Sequence, residues 1–188
     1  MSSLEQDVAQ FLDINKINAL SPYVVTYDKD ERAFVFVTHD GRNCYVSFSP
    51  DEGALPDIGN VYYLLVGVRP NNRFEEDPSI QLTIIAIITV FFTDSNRVLA
   101  YFCDAHNQFI DRHPTPYPIQ TLRHRLFNFW YIRANADNLY EKLDATIERD
   151  GTPNHVAVIY RRDYSHRKTL SKTFSKLVDY LTSDADKE

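Results

Sequence analysis

Glycine is scarce in this 188-residue chain, five in all, and none falls in a GxGxxG or Walker A spacing. Backbone cradles for nucleotide phosphates need such glycines, because a Cβ blocks the approach of phosphate to the main chain. A dinucleotide or P-loop reading therefore has no support. Cysteine is scarcer still. Cys44 and Cys103 cannot make a disulfide scaffold, no CxxC pair suggests structural zinc, and both are read as reduced, packed thiols. Long hydrophobic runs are also missing. The longest, IIAIITVFF at 84–92, contains Thr89 and falls far short of the roughly 20 apolar residues that cross a bilayer as a helix. The first residues lack the basic start and apolar core of a secretion signal. These absences lead us to expect a cytoplasmic protein with no cofactor, no metal and no membrane contact.

What is present is an ordinary folded composition, 44% apolar and 24% charged, rich in Phe and Tyr at 12 each. Such aromatics suit sheet surfaces. The formal charge of −6 is unevenly spread: residues 1–80 hold 13 acids against 6 Lys/Arg, while residues 81–188 hold 13 against 14. A local basic face on an acidic protein follows, although the total argues against nonspecific nucleic-acid binding.

Apolar spacing predicts a helix over 4–20, with Leu4, Val8, Phe11 and Leu12 on one face and Ser2 or Ser3 as its cap. Strands are expected at 23–27, 33–38, 43–48 and 61–68, with Asp40-Gly41 as a hairpin turn. In NCYVSF, Cys44, Val46 and Phe48 share the inner face. Asp77 and Pro78 mark the start of a helix whose stripe is Ile80, Ile84, Ile87, Ile88 and Phe91, read as the central helix covering the sheet. A strand at 98–103 follows, and FIDRH is left as a short strand or a loop. Prolines 114, 116 and 118 then bar regular structure. A helix over 119–134 is expected to bury Leu122, Leu126, Phe129 and Trp130, with Arg123, His124, Arg125 and Arg133 around that face. Leu139, Leu143 and Ile147 suggest another helix over 137–149, HVAVIYRR a strand, and Leu170, Phe174, Leu177 and Tyr180 or Leu181 a final helix that leaves Lys168, Lys172 and Lys176 outside. The expected architecture is one α+β domain over residues 1–188, an antiparallel sheet of about five to seven strands packed on the central apolar helix. C-terminal helices complete it, and 182–188 form a disordered tail.

Chemistry-bearing residues concentrate in YFCDAHNQFIDRH, 101–113. Cys103, His106 and His113 with Asp104 or Asp111 resemble metal ligands, but the spacing matches no established zinc pattern. The simpler reading puts Cys103 in the core and gives Asp104 and Asn107 to a turn. Asp104, His106 and Asp111 with Arg123 and Arg125 are the candidate catalytic set for a phosphoester or nucleotide hydrolase. There His106 is the base and arginine stabilises phosphate charge. Arg161, Arg162, Arg167, Lys168 and Lys172 are the candidates for phosphate or nucleic-acid contact, with Tyr160 and Tyr164 beside them for base stacking. Tyr62, Tyr63, Tyr117, Trp130 and Tyr131 are the candidate interface anchors.

The ordered set FVTHDGRNCYVSF, LTIIAIITVFF, YFCDAH and RHRLFNFWY resembles a family of small uncharacterised bacterial proteins common among Bacteroidota. The resemblance covers about residues 21–133 and implies an α+β fold with no established reaction. Its landmarks here are Gly41, Tyr101, Cys103, Asp104, Arg125, Phe127 and Trp130. Together these readings favour a non-enzymatic protein-interaction or regulatory accessory domain of a bacterial cytoplasmic system, acting through a protein partner or self-association as a homodimer. Nucleic-acid or phosphorylated-ligand binding and the hydrolase are the alternatives.

Overall fold

A computed structural model describes residues 12–69, 77–104, 117–149 and 151–185. Its elements in chain order are α1 (Ile14–Leu20), β1 (Thr26–Asp28), β2 (Ala33–Val37), β3 (Asn43–Pro50), β4 (Val61–Arg69), α2 (Pro78–Phe91), β5 (Val98–Cys103), α3 (Ile119–Ala134), β6 (Tyr140–Arg149), β7 (Thr152–Arg161) and α4 (Arg167–Ala185). The fold is α+β, with a mostly antiparallel seven-stranded sheet in the order β1-β2-β3-β4-β5-β7-β6. The chain divides into two compact units, residues 1–49 with 64–94 and residues 50–63 with 95–188.

In the first unit α1 starts at Asp13, whose carboxylate accepts from the backbone N–H groups of Asn15 and Lys16 at 3.0 and 3.2 Å. The part of the expected helix that precedes residue 12 lies outside the described residues. β2 and β3 form the expected hairpin. Gly41, at φ 80°, takes the left-handed turn position, and the Asp40 carboxylate holds Arg42 at 2.7 Å. α2 begins where Asp77 and Pro78 predict. The Asp77 carboxylate accepts from Ser79 N at 2.9 Å and from the Tyr23 hydroxyl at 2.5 Å. Ile84, Ile87, Val90 and Phe91 are buried, and Phe91 stacks on Phe48 at 4.6 Å. The β-branched run is helical because this burial outweighs its modest helix propensity. Gly67 leaves room for a neighbouring ring, since a Cβ there would lie 2.1 Å from Tyr45 Cζ.

In the second unit the first residues of β4, Val61–Tyr63, pair parallel with β5, β5 pairs antiparallel with β7, and β7 pairs with β6 over the whole hairpin. Residues 140–149 are thus a strand, not the expected helix. A spacing of four is a multiple of two, so Leu143 and Ile147 share a strand face as readily as a helix face. The ten cross-strand pairs with β7 decide the matter. One face of this sheet carries Val98, Ala100, Val156, Val158, Tyr160 and Ile147, which form a core with Leu170 and Phe174 of α4. The Asp51 side chain accepts from Ala54 N and Leu55 N at 3.2 and 2.9 Å, folding 50–58 so that Leu55 and Ile58 join that core. α4 continues to Ala185, beyond the expected start of a tail at 182, and leaves Lys168, Lys172 and Lys176 exposed. Each unit has helices of its own, α1 and α2 in the first and α3 and α4 in the second. No single helix is central in the way the apolar run at 84–92 suggests.

Candidate functional site on helix α3

The opposite face of the β5-β7-β6 sheet carries Leu99, Tyr101 and Cys103 on β5, His155, Ala157 and Ile159 on β7, and Lys142, Asp144 and Thr146 on β6, as the pairing register requires. α3 packs here, and it packs on a side that is polar in large part. Its inward groups include Gln120, His124, Phe127, Asn128, Trp130 and Tyr131, of which Gln120 and Trp130 are buried. Of the expected inward stripe, Trp130 is buried and Leu122 half-buried, but Leu126 and Phe129 lie on the opposite side. Leu126, Phe129 and Ile132 point to solvent at 46%, 54% and 70% exposure.

The outward placement of Leu126 and Phe129 has a cause in hydrogen bonding. An ammonium has no lone pair, so Lys142 donates to the Asn128 carbonyl oxygen. The Asn128 amide must then donate to His124 Nε2 at 2.9 Å, leaving the proton of the imidazole on Nδ1, 3.4 Å from the Tyr101 hydroxyl. The His155 ring stacks on His124 at 4.3 Å with 12° between planes, and its nitrogens meet Thr146 Oγ1 at 3.0 Å and Thr121 Oγ1 at 3.3 Å. Lys142 Nζ lies 3.3 Å from Asp144, whose other oxygen is 3.8 Å from His124 Nε2. Turning α3 over would strand these inward groups of the sheet against leucine and phenylalanine, and an unpaired buried polar group costs about 1–3 kcal/mol.

Burial, the neighbouring His155 and Lys142 together push His124 down to about 4, and burial lowers His155 as well. Both rings are thus neutral at pH 7. His124 Nε2 already accepts from Asn128, and both nitrogens of His155 are engaged by threonine hydroxyls. Neither ring offers a free lone pair for general base work. The arrangement ties α3 to the sheet through hydrogen bonds. Lys142 also points inward from β6, which ends the strand order of the sheet. An inward charge on an edge strand discourages pairing with a further strand.

The residues singled out by sequence fall in several places. Asp104, at the end of β5, has a buried Oδ1 with no hydrogen-bond partner among the described residues. His106, Asp111 and His113 lie outside the described residues. Arg123 sits on the flank of α3 close enough to lower the affinity of the Cys103 thiol for its proton, but burial dominates and pushes that thiol up to about 12. Arg125 is on the outward face, with its guanidinium 3.8 Å over the Tyr117 ring. Adjacent positions on a helix diverge by about 100°, so Arg125 faces away from His124. Arg161 is bound twice by Asp163, at 2.9 and 2.7 Å, and Arg162 donates to Asn138 at 2.6 Å with Glu141 at 3.9 Å. Arg167, Lys168 and Lys172 stand exposed on α4.

Among the aromatic anchors, Tyr117 is exposed and Trp130 is core, edge-on to Phe127 at 5.2 Å. Tyr131 donates to Tyr140 O at 3.2 Å, Tyr62 is half-buried, and burial beside Asp51 pushes Tyr63 up to about 12. Cys44 and Cys103 are buried free thiols, as their strand positions suggest. Among the described residues no group of three His, Cys, Asp or Glu side chains is placed to hold a metal, and no helix is long and apolar enough to cross a membrane. Leu126, Phe129 and Ile132 are the surface that sequence reasoning missed. Ile132, three residues beyond Phe129 and outside the expected inward set, was the available signal.

The model of a family of unknown function, DUF6169, matches residues 76–176, more than half of the chain, and the protein belongs to that family. The match spans α2 to the middle of α4 and so includes the whole of α3 and its polar layer. No curated protein matches the chain.

Proposed function

We propose that this protein is a non-enzymatic protein-interaction module whose docking element is the outward face of α3. The observation that supports this reading is the exposed apolar side of α3. Leu126, Phe129 and Ile132 form a contiguous exposed apolar row on a segment whose orientation is fixed by hydrogen bonds beneath it. Single exposed apolar side chains are common, but a row on a rigid helix is the form that helix-groove recognition uses. The saturated histidines beneath it favour binding over chemistry.

Site-specific photo-cross-linking tests the reading in the cells that make the protein. A photoreactive residue at Ile132 should give one adduct of defined mass, absent when Phe129→Asp is added. A photoreactive residue at exposed Tyr180 of α4 should not give that adduct. Equal labelling at both positions, or an adduct that survives Phe129→Asp, refutes the reading.

A further inference from the structure

We infer that the partner docked on α3 presents an acidic amphipathic helix, an inference that rests on the docking role of α3 proposed above. Leu122, Leu126, Phe129 and Ile132 follow one another at steps of four, three and three residues, so they lie along one side of the helix. The row runs for about 15 Å, nearly three helical turns, and a second helix laid along it meets each side chain in turn. Within α3 itself the charges on this face have one sign. Arg125 and Arg133 are exposed there, and α3 carries Arg123, Arg125 and Arg133 but no Asp or Glu, although the protein as a whole has a net charge of −6.

The Tyr117 ring beneath Arg125 holds its guanidinium in place, so less side-chain freedom is lost when a carboxylate is bound. A second copy of this chain is the poorer fit, because two α3 faces would bring arginine against arginine. A nucleic acid or an anionic lipid surface would use the arginines, but a nucleic acid leaves the apolar row without a contact. For a lipid surface, the two exposed arginines fall short of the roughly four to eight clustered basic residues that hold a helix to anionic lipid. Apolar anchors flanked by Asp and Glu answer both features at once.

The test uses the full-length protein and four fluorescent peptides that share one Leu/Ile seam at helical spacing. Three are helical, flanked by Glu, Gln or Lys, and the fourth is the Glu version broken by prolines. The inference expects the helical Glu peptide to bind best by anisotropy and to weaken as salt rises. Ile132→Asp should abolish its binding. Arg125→Glu with Arg133→Glu should weaken it about tenfold and transfer the preference to the Lys peptide. Arg125→Gln should give an intermediate loss, and far-UV circular dichroism establishes that each variant keeps its helices.

Flank-independent binding that still needs Phe129 and Ile132 overturns the acidic partner and leaves the docking reading intact. Equal binding of the proline-broken peptide overturns the helical partner. Tighter binding to a single-stranded oligonucleotide, to phosphatidylserine vesicles or to a second copy of the protein overturns the inference in favour of that ligand. Binding by no peptide also overturns it, while cross-linking at Ile132 decides separately whether α3 docks protein.

Discussion

Acid should loosen α3 before it unfolds the rest of the second unit, and His124 sets the size of the effect. The ring is enclosed by Tyr101 on β5, Lys142 and Asp144 on β6, and His155 on β7, with its side chain 13% exposed. In the fold it binds a proton only near pH 4, whereas in the unfolded chain it does so near 6.5. A histidine whose affinity for protons is lowered by folding adds stability that is complete above pH 6.5 and shrinks as the pH falls toward 4. The linkage from those two values gives a loss of about 2 kcal/mol between pH 7 and pH 5, and about 3 kcal/mol by pH 4. His155 contributes with the same sign.

Urea unfolding across pH 4–8, followed for the protein and for His124→Gln, measures this. The variant should lose roughly 2 kcal/mol of the pH 7 to pH 5 difference, because glutamine does not titrate. The His124 ring protons in NMR should move only below pH 5. Identical pH dependence in the two proteins, or a ring that titrates near 6.5, refutes the account of His124 as a buried neutral ring held by Asn128 and Tyr101.

Gly67→Ala should destabilise by about 1–3 kcal/mol in chemical unfolding, because the new Cβ meets the Tyr45 ring. Tyr45→Ala in the same background should recover part of the loss, and simple additivity of the two would contradict the contact. Cys44 and Cys103 should stay unreactive toward a disulfide reagent at pH 8 in the folded protein and react together on unfolding. Burial pushes the two thiols up to about 11 and about 12, so little thiolate is present. Rapid labelling of either in the native state would refute their placement.

Much of the secondary structure is legible from local chemistry. Asp77 and Pro78 start α2, Gly41 turns the β2–β3 hairpin, and the alternation in NCYVSF buries Cys44, Val46 and Phe48. β6 was misread because Leu143 and Ile147 satisfy strand and helix periods together. Of the candidate site, the arginines of α3 and the exposure of Tyr117 follow from sequence, while Trp130 as an anchor does not. A tryptophan is equally suited to an interface and to a core, and its burial, edge-on to Phe127, keeps it in the stripe where the helix period also places it.

The sequence by itself determined where α3 begins and ends and that its cations face no acid of its own helix, because prolines, periodicity and charge act over a few residues. Only the tertiary structure decided which side of α3 meets the sheet. Lys142, Asp144 and His155 arrive there from strands that follow α3 in the chain, and their hydrogen-bonding needs, satisfied by His124, Asn128 and Thr121, outweigh the burial of three apolar side chains. That choice puts Leu126, Phe129 and Ile132 on the solvent side.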